Sequence, residues 1–185
     1  MAEESINNLN ARKFLVWLVM GASFMLVAGL TSIFLITTPA SSDIHTRLPY
    51  VFIASTLIIL GSSYTLHIAN TKLKQLQFGS FRQYIKYTIG LGVLFIILQA
   101  VAWMQMIGQQ QFFDSHKTYV SFIYVFVFVH FLHIITGIGL LIYTLNGSVK
   151  NRPNYRITFR TEASTLFWHF IDLLWIYLYI FLLIK

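Results

Sequence analysis

The sequence predicts an all-α polytopic membrane protein, a single domain over residues 1–185 built as a bundle of five transmembrane helices. Three observations lead there. Hydrophobic residues make up 57% of the 185 positions, while charged residues supply only 10%, against about 25% in an ordinary soluble domain. The mean hydropathy is +0.69. The apolar residues also gather into five runs near the ~20 residues that an α-helix needs to cross the hydrocarbon. Aromatic residues, at 17%, suit the same setting, because Trp and Tyr favour the headgroup level.

The first run, residues 14–36, carries Gly21 with Ala28 and Ala22 with Gly29, each pair seven apart. Small residues at that spacing mark faces where a neighbouring helix can approach. The chain before this run contains Glu3 and Glu4 and lacks a basic signal-peptide start, and the run is longer than a signal core, so it reads as a retained helix even with the small residues at 39–42. The second run, 50–69, is rich in Ser and Thr and ends near His67. The third is 87–107. The fourth, 119–145, holds His130 and His133, and the fifth, 163–184, holds Trp168, His169, Asp172 and Trp175. The linkers 37–49, 70–86, 108–117 and 146–162 are too short for a soluble domain with its own core.

Ten of the 13 Lys and Arg residues fall on one side of this arrangement: Arg12, Lys13, Lys72, Lys74, Arg82, Lys86, Lys150, Arg152, Arg156 and Arg160. Arg47, Lys117 and Lys185 fall on the other. By the positive-inside rule the N-terminus is cytoplasmic and the C-terminus periplasmic. The +7 net charge is thereby a topology signal and not a nucleic-acid footprint. There is no cysteine, which excludes disulfides, thiolate metal sites and iron–sulfur clusters. No internal repeat supports an inverted-repeat transporter.

Ionisable groups inside the hydrocarbon are costly and draw attention to function. His130 and His133 share one helix face, as do His169 and Asp172. By the helix rise of ~1.5 Å per residue, His133 and Asp172 lie at comparable depths from the cytoplasmic ends of their helices, so the two pairs are expected to meet if the helices are neighbours. Three chemistries fit such a cluster: a hydrogen-bonded packing network, a haem or metal site with imidazole ligands, and a proton relay. Glu162, following Thr161, reads as a helix start, where a hydroxyl caps free N–H groups and a carboxylate suits the positive end of the helix dipole.

Helix five then becomes specific. Glu162-Ala-Ser-Thr-Leu-Phe-Trp-His-Phe-Ile-Asp-Leu-Leu-Trp175 resembles the terminal signature of subunit III of the haem-copper terminal oxidases. Val129-His-Phe-Leu-His-Ile-Ile-Thr-Gly137 and Ser55-Thr-Leu-Ile-Ile-Leu-Gly-Ser-Ser-Tyr-Thr-Leu-His67 are similar to two further stretches of that family, in the same order. The resemblance runs from about Lys13 to Phe181 and is to the bacterial, five-helix form. It departs at Ser23, which stands where the family usually carries an intramembrane Glu.

The resemblance implies an accessory, non-catalytic subunit in the bacterial inner membrane that takes part in aerobic respiration. It implies no cofactor or metal in this chain, haem and copper in the partner subunit I, contact with subunits I and II, and phospholipid held in a V-shaped cleft between two and three helices. Support of proton uptake belongs to the same expectation, whereas membership of a respiratory supercomplex stays open. Lipid-cleft or packing roles then fall on His67, His130, His133, Glu162, Trp168, His169 and Asp172. A subunit III relative associated with nitric oxide reductase, an independent haem- or metal-binding membrane enzyme, and a small transporter are the alternatives.

Overall fold

The computed structural model describes residues 2–37, 50–108, 118–148 and 155–184. The segments that would carry Arg47, Lys117, Lys150 and Arg152, the small residues at 39–42, and Lys185 lie outside the described residues. All described elements are helices: α1 (Ala2–Thr37), α2 (Val51–Lys74), α3 (Phe78–Gly108), α4 (Thr118–Gly147) and α5 (Tyr155–Ile184). Each contains a stretch long and apolar enough to cross a membrane: Lys13–Thr37, Val51–Lys74, Phe78–Gln105, Tyr124–Gly147 and Ile157–Phe181.

The helices outrun the apolar segments that predict them. α1 begins at Ala2, α3 at Phe78 and α5 at Tyr155, each about two turns or more ahead of the apolar run. Hydropathy marks where the chain enters lipid, whereas polar residues of adequate helix propensity prolong the helix beyond that point. The expected 70–86 linker accordingly shrinks to the turn between Lys74 and Phe78. There the Gln77 N–H donates to the Lys72 carbonyl at 3.0 Å and the Leu76 N–H to the Leu73 carbonyl at 2.9 Å, a Schellman closure. It requires left-handed backbone at Leu76, whose φ is 59°.

Backbone packing joins α2 to α3, α3 to α4, α4 to α5 and α5 back to α2, so these four helices close into a ring. α1 packs outside the ring, against α4 and α5, with no backbone approach to α2 among the described residues. The division is therefore four plus one, not the two-plus-three expected from the resemblance. The cause lies in α5, which carries the largest buried side chains. Trp168 is fully buried in the ring; its indole N–H donates to Ser62 Oγ on α2 at 3.0 Å. Its ring also lies against Gly92 of α3 and Gly137 of α4, where an added Cβ would approach within 2.8 Å and 3.0 Å of the indole. Two turns along, Trp175 stacks on Phe52 of α2 and meets Phe95 of α3 edge-on. Two indoles thus fill the centre at two levels and tie α5 to all three other ring helices.

α1 shows a simpler pattern. Met20, Ser23, Val27, Thr31 and Phe34 form its buried stripe, at the three-and-four spacing of one helix face. Gly21 and Gly29 point away from the ring, with nothing within 4 Å of an added Cβ. Of the small residues expected to mark packing in α1, Gly21, Ala22 and Gly29 are exposed and Ala28 is half-buried.

Candidate functional site

Hydroxyl groups organise the interior. In α2, Ser55, Thr56 and Ser62 donate to the carbonyls of Val51, Phe52 and Ile59, three or four residues back. This satisfies a donor that lipid cannot and leaves each oxygen free to accept from a neighbouring helix. Ser55 accepts from Gln99 Nε2 of α3 at 3.0 Å, Thr56 from Trp175 Nε1 at 3.1 Å, and Ser62 from Trp168 Nε1. Thr65 and Thr88 complete the α2–α3 seam with a hydroxyl pair at 2.8 Å. Thr144 and Ser164 do the same between α4 and α5 at 2.9 Å.

The two intramembrane pairs do not meet. Both nitrogens of His133 are used: Nδ1 lies 2.7 Å from the Val129 carbonyl and Nε2 lies 2.9 Å from Ser23 Oγ of α1. A carbonyl has no proton to give, so Nδ1 carries the proton and, in a neutral imidazole, Nε2 accepts from the Ser23 hydroxyl. His133 therefore binds α1 to α4. His130, one turn away, turns into the ring, where its centroid lies 4.9 Å from that of Trp175 and 5.7 Å from that of Phe95. It is buried, and neither nitrogen has a hydrogen-bond partner among the described residues.

His169 and Asp172 lie on the α2–α5 side. His169 Nδ1 is hydrogen-bonded with Ser63 Oγ and stands 4.0 Å from Asp172 Oδ2. Asp172 is buried, and neither carboxyl oxygen has a hydrogen-bond partner among the described residues. His67 lies one turn along α2 from Ser63, on the exposed face. The cluster is therefore a set of separate sites on three different seams and not one shared network.

Glu162 is not a helix start. α5 begins at Tyr155, and the Thr161 hydroxyl donates to the Ile157 carbonyl at 2.9 Å instead of capping. Glu162 instead pairs with Lys13 of α1 at 3.3 Å. The pair stands at one end of a groove of about 220 Å³ lined by Lys13, Val16, Trp17, Glu162, Ala163 and Leu166. A charged rim over an apolar floor is the chemistry of an amphiphile site. Among the described residues no three His, Asp or Glu side chains converge as metal ligands.

Several of these contacts escape inspection of the ionisable residues alone, above all those of Ser55, Thr56, Ser62, Ser63 and Gln99. A signal for them exists: the Ser-Thr pair at 55–56 and the Ser-Ser pair at 62–63 are seven apart, as are Trp168 and Trp175 on the antiparallel helix.

The comparisons with known proteins converge. The family model for cytochrome c oxidase subunit III matches residues 41–184, which takes in all four ring helices and leaves out α1. Ser23 thus lies outside the matched segment. Relatives described as cytochrome c oxidase subunit 3 include those of Pelomedusa subrufa at 31% identity, Mus musculus at 30% and Drosophila melanogaster at 29%. Each aligns over 126 residues, or 68% of this chain and 47% of the relative. The chain thus spans about half the length of the curated relatives it matches. With five membrane-spanning helices and a family match over its whole four-helix ring, this chain belongs to the cytochrome c oxidase subunit III family.

Proposed function

We propose that this chain is an accessory, non-catalytic subunit of a haem-copper terminal oxidase, in which subunit I holds the haems and copper and subunits I and II are its neighbours. The observation that carries the reading is the family match across α2–α5, the part of the chain whose interior is built around Trp168, His169, Asp172 and Trp175. The chain's own contribution is structural: it stabilises subunit I and supports proton uptake from its flank. The groove between α1 and α5 takes a phospholipid, with the headgroup at Lys13 and Glu162 and an acyl chain along Trp17 and Leu166. The basic ends of the helices support an N-terminus in the cytoplasm and a C-terminus in the periplasm of a bacterial inner membrane.

The test is purification through a tag on this chain, in mild detergent, from its native membrane. A haem- and copper-containing large subunit is expected to co-purify in stoichiometric amount. Recovery of the intact chain without such a partner refutes the proposal.

A further inference from the structure

The depth of one polar patch points to something outside the chain. His169 is the central residue of the span Ile157–Phe181, and Ser63 lies at the midpoint of Val51–Lys74. Their hydrogen bond therefore joins α5 to α2 inside the apolar part of both helices, about two turns along α5 from Glu162. His169 keeps 42% of its side chain exposed, and His67, a turn away on α2, is exposed too. Behind them lies Asp172, whose carboxyl oxygens have no hydrogen-bond partner among the described residues.

The rest of the described outer surface at this depth is different. It presents Met25 on α1, Val93 and Leu94 on α3, and Leu132 and Ile135 on α4. The polar exception there, Thr136, donates to the Leu132 carbonyl of its own helix. Acyl tails offer no hydrogen bonds, so an imidazole left facing them is costly. Because Ser63 occupies Nδ1, Nε2 of His169 is the atom available to an outside group. It can donate or accept according to tautomer, and a hydroxyl, amide or carboxyl side chain satisfies it in either state.

We propose that the α2–α5 face around His169 is an intersubunit contact, covered by a transmembrane helix of a different subunit that offers a polar side chain to His169. This deepens the reading of the chain as an oxidase subunit and rests on it for the partner's identity, while the location of the contact stands on the patch itself.

The chain has no cysteine, so a single introduced thiol can carry a benzophenone probe. Tyr64→Cys and Leu173→Cys place it beside the patch, on residues 68% and 60% exposed; Met25→Cys and Ile97→Cys place it on other exposed faces. After illumination in native membranes and purification through the tag, the patch positions are expected to yield at least fivefold more adduct with a different membrane subunit than the other two. Lipid adducts alone at Tyr64→Cys and Leu173→Cys overturn the proposal, as does an adduct solely with a second copy of this chain. A partner adduct from Ile97→Cys in place of the patch also overturns it, while leaving the oxidase reading intact. Conversely, a stoichiometric partner cross-linked at the patch within a purified complex that holds no haem in any subunit supports the contact and removes the oxidase reading.

A second measurement leaves the geometry in place. His169→Leu is expected to lower partner recovery about fivefold or more, with helical content and monodispersity unchanged. His169→Asn, which keeps a donor and an acceptor, restores most of it. Equal recovery with His169→Leu counts against the contact.

Discussion

The α2–α5 ring and α1 are joined to the same molecule by different means. The ring is filled by bulk: two buried indoles each also donate to an α2 hydroxyl, and that of Trp168 occupies space that Gly92 and Gly137 leave open. α1 is fastened by side-chain contacts at separate depths, Lys13 to Glu162, Ser23 to His133, and Tyr177 to Thr31, with Phe34 packed among Phe122, Phe126 and Phe181. The difference coincides with the family match, which covers the ring and stops short of α1. Lipid removes the hydrophobic force between helices, leaving close packing and hydrogen bonds to hold them. The ring draws heavily on both, and α1 has less of either.

Breaking the ring should cost most. Trp168→Ala empties its centre and strands the Ser62 acceptor, so a loss of about 3–5 kcal/mol is expected. It is readable as a lowered midpoint in denaturing-detergent titration of the purified chain. Gly137→Ala comes next, because its Cβ would lie 2.9 Å from Ile171 and 3.0 Å from the Trp168 ring; overpacking of that kind costs about 1–3 kcal/mol. The same change at Gly21 of α1 meets open space and should be neutral or stabilising by up to about 1 kcal/mol through helix propensity. Thermal unfolding of the two variants side by side checks the contrast; equal losses would mean that the ring is not the tightly filled region.

Smaller effects test how α1 is fastened. Ser23→Ala removes the donor to His133 Nε2 and should cost about 0.6–1 kcal/mol, the usual range for hydrogen bonds between membrane helices. It should also make α1 easier to release by proteolysis. Lys13→Ala should change stability by less than about 0.5 kcal/mol, since both members of its ion pair are about half exposed and such pairs contribute little. A larger loss from Lys13→Ala than from Ser23→Ala would reverse this ranking of α1's contacts.

What the residues determined alone was the number of helices, their approximate spans and the family, because apolar run length is imposed by the bilayer and the Glu162–Trp175 signature is contiguous. They also singled out Trp168, His169 and Asp172. Which seam each polar group serves was decided only by tertiary structure. His130 and His133 share a helix face, yet one turns into the aromatic core and the other to α1, since a side chain's partner depends on the rotation and neighbours of its helix and not on spacing along it. Likewise the four-plus-one division follows from where two indoles find room between helices, a matter of volume that no local pattern encodes.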